Sequence, residues 1–394
     1  MRSIGHTYDV IIIGAGIMGC SIALELSKRG LKVVVLEKST IGTGSTGKSS
    51  AIIRQHYSNE VTARMALHSL GVFQNFSDTV AGECGFTQAG FLVLTSESDA
   101  IGLQENVVLH RKLGIETELL NRDEIQKRWP YIALGETTLA AYEPQSGYAD
   151  PNLTLNGYVQ AAKDHGARFY QDTPVTGIRL SKGKVIGVDT TRENFDSPIV
   201  INCGGPWGAG IARMAGVELP INSCRVQAAF FRRPSLYADP HPVVADFVHA
   251  VYWRAETGNL TLVGLIDPEE ENYIVDPDAY NEKADFDFIA DAGERLVRRF
   301  PGLEDSESAG GFSALYAITP DWHPIIDEMI EGSGLYVCAG FSGHGFKLGP
   351  AVGLMTADMV TGEETPGMAR YLFRRTRYDE GKPVHGQYEY SIVG

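Results

Sequence analysis

Tyr8-Asp9-Val10-Ile11-Ile12-Ile13-Gly14-Ala15-Gly16-Ile17-Met18-Gly19 is the stretch that decides how this chain is read. An apolar, β-branched run feeds into Gly14-x-Gly16-x-x-Gly19, and a helix is expected from there to Gly30. A second apolar run, Lys32-Val33-Val34-Val35-Leu36, ends at Glu37. Strand, glycine turn, helix, strand and acid are the parts of a dinucleotide-binding βαβ unit. Gly14 permits the tight turn, Gly16 lets the backbone approach a pyrophosphate, and Gly19 lets the helix pack closely on the strand. Ile17 and Met18 open the helix, whose N-terminus turns N–H groups and partial positive charge toward the phosphates. Glu37 would accept hydrogen bonds from a ribose 2′-hydroxyl and repel a 2′-phosphate, which favours FAD or NAD over NADP. A bare glycine pattern is weak evidence, because any tight strand–helix turn can use it. The flanking strands and the acid make dinucleotide binding the stronger reading.

The chain has 394 residues, enough for two or three domains, and its 43% apolar and 21% charged residues are ordinary for a globular protein. A formal net charge of −15 leaves no basic footprint for nucleic acid or an anionic membrane. No apolar run approaches the ~20 residues of a spanning helix, and the Ile11–Ile13 run is too short for a signal segment. Cys20, Cys84, Cys203, Cys224 and Cys338 are scattered, odd in number and without a CxxC pair. They fit free thiols in a reducing cytoplasm, with neither a disulfide framework nor a metal site.

After Glu37 and Lys38, residues 39–50 form a run of small and hydroxyl residues that leads into Ala51-Ile52-Ile53-Arg54. Such runs are usually plain loops. Following the acid directly, its backbone N–H groups and the hydroxyls of Ser45, Thr46, Ser49 and Ser50 could wrap the second phosphate. Helices are expected over 61–82, over 100–113, from Asn121 to Pro130 and from Asp150 to Gly166, with strands at 90–95 and 139–143. Short strands follow at 167–170, 175–178 and 185–188. Ile199-Val200-Ile201-Asn202-Cys203-Gly204-Gly205-Pro206-Trp207 repeats the strand–glycine–helix logic, so the first sheet is expected to resume there. Residues 217–300 return to antiparallel patterning at 227–232, 243–248, 250–254 and 260–266, with a charged surface loop over 267–278 and a helix over 284–300. A third glycine feature, Gly340-Phe341-Ser342-Gly343-His344-Gly345-Phe346-Lys347, links a strand to a helix whose N-terminus suits the electron-rich end of a reduced flavin. The polar, aromatic tail after Thr361 has no evident task.

These motifs resemble the flavoprotein family of sarcosine oxidase, glycine oxidase and D-amino-acid dehydrogenase, over nearly the whole length. The resemblance rests on Gly14–Gly19 with Glu37, on Ile52-Ile53-Arg54, on Val175 in its strand and on the segment from Cys203 to Trp207, Gly204 included. Its most specific parts are Thr319-Pro320-Asp321-x-His323-Pro324 and Gly340 to Lys347, which place the chain nearest the sarcosine oxidase branch with its β-type subunits. It implies an α/β, Rossmann-like FAD-binding domain (1–75, 150–216 and 310–394) interleaved with an antiparallel-sheet α+β substrate domain (76–149 and 217–309). It further implies oxidation of a secondary or primary amine next to a carboxylate, by hydride transfer to flavin N5, giving an imine that hydrolyses. The family's carboxylate-binding pair falls on Arg54 and Lys347, and Tyr252 is placed with them at the reacting end. Gly340, Gly343, His344, Gly345, Phe346, Ala51 and Ile53 are assigned to the cofactor. His56 and His323 are commoner as hydrogen-bonded core histidines than as site residues.

In monomeric relatives a cysteine tethers the flavin shortly before the Thr-Pro-Asp segment. Ala314 stands there in this chain, which implies non-covalent FAD. Oxygen-using relatives carry a lysine over the flavin; the matching stretch places Thr261 there, and no lysine lies between Lys184 and Lys283. A dehydrogenase passing electrons to a quinone or a protein is therefore expected ahead of an oxidase, with Arg225 or Arg254 as the cations that could substitute. A D-amino-acid or 2-hydroxy-acid dehydrogenase on the same fold remains an alternative. So does a flavin-carrying subunit of a hetero-oligomer. An NAD enzyme is disfavoured by the C-terminal glycine–histidine feature.

Overall fold

The computed structural model describes residues 6–237, 241–266 and 273–385. Residues 267–272 of the expected charged loop and the tail beyond 385 lie outside them.

The apolar runs of the opening motif build a six-stranded sheet in the order Ile325–Ile330, Leu335–Ala339, Val200–Asn202, Val10–Ile13, Val33–Leu36, Arg168–Tyr170. Every neighbouring pair is parallel except the first. Val10–Ile13 and Val33–Leu36 are buried on both faces, which is why they read as continuous apolar runs and not as an alternation. Helices Ile17–Lys28, Glu60–Gln74, Pro151–Asp164 and Gly345–Thr361 share one core with the face of Val10 and Ile12. A four-stranded sheet that includes Val175–Ser181 and Lys184–Thr190, together with the short helix Gly208–Arg213, covers the face of Ile11 and Ile13. Among the described residues, no helix is long and apolar enough to cross a membrane.

The antiparallel patterning of the two other blocks closes into a single eight-stranded sheet. Its order is Ser308–Ile318, Asn222–Arg232, Leu260–Leu265, Val251–Glu256, Val243–Asp246, Phe91–Thr95, Leu139–Glu143, Glu118–Asn121. The one parallel pair, Val243–Asp246 beside Phe91–Thr95, is where the two blocks meet. Ser308–Ile318 straddles the boundary expected at residue 310: it pairs along Asn222–Arg232 and carries the chain back toward the parallel sheet. The helix expected over 61–82 divides into Glu60–Gln74 and Phe76–Thr79; the Asn59 side chain caps the first of these at Thr62 N–H.

Two of these helices pack closely, with glycines on one of them only. A Cβ on Gly349 would come within 2.6 Å of Ile17 Cγ1, and one on Gly353 within 3.0 Å of the Ser21 backbone. Glycines at 345, 349 and 353 thus form a groove on helix Gly345–Thr361 that receives the start of helix Ile17–Lys28, and both N-termini reach the same end of the parallel sheet.

The C-terminal segment does have a structural task. Arg377, buried with 0% of its side chain exposed, makes two hydrogen bonds to Asp321, at 2.7 and 2.9 Å. Tyr378 OH and Val384 N–H donate to the same carboxylate. Burial alone would raise the Asp321 pKa; the Arg377 hydrogen bonds, Val384 N–H and Tyr378 outweigh it and bring the pKa to about 2. The Thr319-Pro320-Asp321 motif is therefore the anchor of the tail. Removing one partner of a buried ion pair costs about 3–5 kcal/mol, and Arg377→Ala is expected to lose that much in denaturant unfolding at neutral pH. The native carboxyl has the lower pKa, so its stabilisation is complete above the unfolded value near 4 and fades as pH falls toward 2. The gap between variant and parent should narrow over that window; a gap independent of pH would contradict this role.

Candidate active site

Where the carboxyl ends of the parallel strands meet the large sheet, a cavity of about 440 Å³ opens. Gly14 lines it with φ +104°, and a Cβ there would lie 2.6 Å from the Cys203 carbonyl oxygen, so adjacent strand ends can abut only because this residue is glycine. Helix Ile17–Lys28 opens onto the cavity, its first N–H donating to Thr46 Oγ1 at 3.0 Å. Helix Gly345–Thr361 also starts at this wall, preceded by Gly343 at φ +87°. At one end Glu37 also lines the cavity. Its two oxygens accept from Ala15 N–H (2.9 Å) and Ser39 N–H (3.0 Å), which fixes the carboxylate at the position a ribose would reach. Two helix N-termini for a pyrophosphate and an oriented acid for a ribose fit FAD.

Of the residues assigned to the cofactor, Gly14, Gly16, Ile17, Met18, Glu37, Lys38, Ser45, Thr46, Ser49, Ser50, Val175, Gly204, Trp207, Gly340, Gly343, Gly345 and Phe346 line this cavity, and so does Tyr252. Gly19, Ala51, Ile53, His344 and Lys347, also assigned to the cofactor, do not; the last two line a smaller cavity beside it. Gly19 packs on the turn itself, where a Cβ would sit 2.0 Å from the Gly14 carbonyl oxygen. Ala51 and Ile53 are core residues behind the loop. Ala314, expected beside the flavin, does line the cavity, and its neighbours Phe312, Leu315, Tyr316 and Ala317 of strand Ser308–Ile318 complete a wall that the sequence did not reveal; the loop is tied to it by Ser45 Oγ donating to Leu315 O at 2.6 Å. The alternation Phe312-x-Ala314-x-Tyr316-x-Ile318 was the available signal. The sequence reading also missed Asp278, which lines the mouth and accepts from Trp207 Nε1 at 2.9 Å and from Lys38.

A second, smaller cavity of about 70 Å³ adjoins the first, and Ser50, Tyr252, Tyr316 and Gly343 line both. Its nitrogen-bearing side chains are Arg54, His344 and Lys347, and Ile52, Phe91, Ala245, Leu265 and Ile266 give its apolar surface. Arg54 is 7% exposed, stacks 4.4 Å above the Tyr57 ring and lies 3.4 Å from His344 Nδ1. Lys347 is equally buried and, among the described residues, makes no hydrogen bond or ion pair. Burial, followed by the charge of Arg54, holds the Lys347 pKa well below the usual lysine range. Burial, then Lys347 and Arg54, does the same for His344, whose ring is therefore neutral. A guanidinium and a lysine amine facing one small chamber can take an anion of matching size, whose charge favours the lysine ammonium, and a carboxylate is the common one.

Other expectations change. Thr261 lines neither cavity: it is fully buried, with its hydroxyl 3.4 Å from Arg233 Nη1. From this part of the sheet it is Tyr252 that reaches the junction, its ring filling the space over Gly264 that a Cβ would need. Arg225 points instead to Asp285 and the 281–283 backbone, and Arg254 to Ser50 O and Glu256. His323 is a core histidine, bonded through Nδ1 to Asp321 O and through Nε2 to Asn59. Cys203 and Cys338 do reach the cavity floor, but burial raises the Cys203 thiol far above its ordinary range.

Comparison with known proteins agrees with this geometry. A family model described as FAD dependent oxidoreductase (DAO) matches residues 9–359. Sarcosine oxidase subunit beta of Rhodobacter capsulatus is 27% identical over 382 residues, covering 95% of this chain and 89% of the relative. Human mitochondrial sarcosine dehydrogenase is 26% identical over 95% of this chain, but over only 42% of its own length. Among solved structures, L-proline dehydrogenase from P. horikoshii superposes with a TM-score of 0.89 at 28% identity, covering 97% of this chain and all of that one. Glycine oxidase from Geobacillus kaustophilus gives 0.81 at 25% identity, with 94% and 99% covered.

Ala314, on the cavity wall, offers no sulfur for a tether, and the thiol of Cys203 is held protonated. Acid precipitation is expected to leave the yellow flavin in the supernatant; colour that stays with the pellet would contradict non-covalent binding.

Proposed function

As the chain belongs to the DAO family of FAD-dependent oxidoreductases, we propose that it oxidises a small amino acid at the carbon bearing its amine, with a secondary amine such as sarcosine or proline preferred. The observation that carries this reading is the chamber of about 70 Å³ holding Arg54 and Lys347, set against the cavity that fits FAD. When bound, the flavin supplies the hydride acceptor. The chain's own residues supply position. Arg54 and Lys347 grip the carboxylate and leave the amine-bearing carbon at the junction lined by Tyr252, Tyr316 and Gly343. A carboxylate brings the negative charge that restores the Lys347 ammonium, so binding favours substrates carrying that group. Ile52, Phe91, Ala245, Leu265 and Ile266 surround what remains with apolar surface and keep water away. Little space is left there, which argues for glycine-, sarcosine- or proline-sized substrates over long side chains.

The acceptor is a quinone, a dye or a protein more readily than oxygen. Lys38 and Lys48 lie along the loop near Glu37, and Lys347 is engaged with the carboxylate; they are the lysines that line the two cavities. Arg225 and Arg254 are directed elsewhere. The likeness to a sarcosine oxidase subunit beta supports work within a hetero-oligomer, the partner receiving the electrons.

Arg54→Ala removes one of two charge-assisted partners from a desolvated carboxylate, a loss on the order of 2–5 kcal/mol. At about 1.4 kcal/mol per factor of ten, dye-coupled kcat/KM should fall roughly thirtyfold or more while FAD content is unchanged; a drop under threefold would remove Arg54 from the carboxylate site. Stopped-flow mixing of the reduced protein with air-saturated buffer should give flavin reoxidation much slower than dye-coupled turnover. Reoxidation as fast as turnover would make the protein an oxidase.

A further inference from the structure

Close to Arg54, but lining neither cavity, lies a group of buried side chains that the oxidation does not use. His56, His110 and Glu143 are 2%, 0% and 0% exposed. One ligand-type atom from each lies within 4.8 Å of the other two. They come from the segment after strand Ile52–Ile53, from helix Ala100–Lys112 and from strand Leu139–Glu143, so spacing along the sequence could not reveal them, and the expectation of no metal site was drawn from spacing alone.

The outer atoms of two of these groups are already fixed. Glu143 Oε2 accepts from Gln55 N–H at 2.9 Å and from Ser146 Oγ at 2.8 Å. His110 Nε2 lies 2.9 Å from the Tyr57 carbonyl oxygen and 3.3 Å from Tyr57 N–H; the shorter contact places the ring proton on Nε2 and leaves a lone pair on Nδ1. The inner atoms have nothing to bond: Glu143 Oε1 and His110 Nδ1 are both buried without a hydrogen-bond partner. Oε1 lies 3.8 Å from His56 Nδ1. Asn106 Oδ1, one helical turn before His110, is a further buried acceptor without a partner. Glu143 Oε1, His110 Nδ1 and Asn106 Oδ1 have lost their hydration on burial without a hydrogen bond in return. A cation satisfies them together.

We propose that His56, His110 and Glu143 form a buried binding site for a divalent cation of the zinc type, which pins the segment carrying Arg54 to the helix and strand behind it. Two imidazoles and a carboxylate are a common Zn(II) donor set. The backbone carbonyl on His110 and the paired donors on Glu143 are the outer contacts that orient such ligands. Bond lengths of about 2 Å place tetrahedral ligand atoms roughly 3.4 Å apart, so side-chain rotations of about an ångström close the set. Arg54 opposes the added positive charge, and the Glu143 carboxylate offsets it. The site is a positioning device: it touches neither cavity. It does not depend on which amine is oxidised.

The test uses untagged, FAD-loaded protein stripped with a chelator, then equilibrated with Zn(II) and analysed by plasma mass spectrometry and calorimetric titration. One tightly held zinc per chain is expected, with affinity at least a hundredfold lower in both His110→Ala and Glu143→Gln and flavin content unchanged. If those variants fail to fold, Co(II) in place of zinc should give the stripped parent the visible absorption of a tetrahedral site, at one equivalent. No stoichiometric zinc in the parent, zinc held equally well by both folded variants, or no cobalt absorption would each overturn the proposal; in that case a proton shared between Glu143 and His56 satisfies the cluster.

Discussion

Gly349 against Ile17 and Gly353 against Ser21 let helices Ile17–Lys28 and Gly345–Thr361 cross closely, the side chains of the first resting on bare backbone of the second, and the rest of the molecule depends on this contact. The two helices start from strands Val10–Ile13 and Leu335–Ala339, which are separated in the sheet by Val200–Asn202. Larger residues along the groove would push the helices apart, and their N-termini would no longer open onto one cavity. With them together, the positive ends of two helix dipoles and the strand-end glycines face the same volume, which is the electrostatic requirement for an anionic dinucleotide.

The second constraint is the burial of charge. Arg54 and Lys347 reach the small chamber from distant parts of the sequence, and burial, followed by the charge of Arg54, raises the cost of keeping Lys347 charged. A protein pays that cost where the ligand brings the counter-charge. The same reasoning separates this pair from Arg377 and Asp321, where cation and anion are both supplied by the chain and the result is an anchor for the tail. Arg377 has its counter-charge in Asp321, whereas Lys347, among the described residues, pairs with no acidic side chain.

Much of the fold was legible because local rules and tertiary packing agree. The Val10–Gly19 strand and turn, the resumption at Val200–Asn202 and the capping box of Asn121 with Glu124 all appear where residue types require them. Most of the cofactor wall followed, since glycines and hydroxyls sit at strand ends. What was not legible depends on contacts between distant segments. Ser308–Ile318, glycine-rich at its start, gains its strand character from pairing with Asn222–Arg232. Thr261 was placed by matching a short stretch, and the sheet register instead brings Tyr252 to the junction. The task of Arg377 and the meeting of His56, His110 and Glu143 could not be read from spacing at all, because their partners lie far away in the chain.

The central claim is that a carboxylate-bearing amine delivers electrons to a flavin in this cavity. Anaerobic titration of the FAD-loaded protein, followed through the visible flavin band, measures that without reference to any acceptor. Sarcosine or proline should bleach the band to completion, while the corresponding amine without its carboxylate, dimethylamine or pyrrolidine, should leave it unchanged at the same concentration. Bleaching by the carboxylate-free amines to the same extent, or by none of the amino acids, would contradict the account.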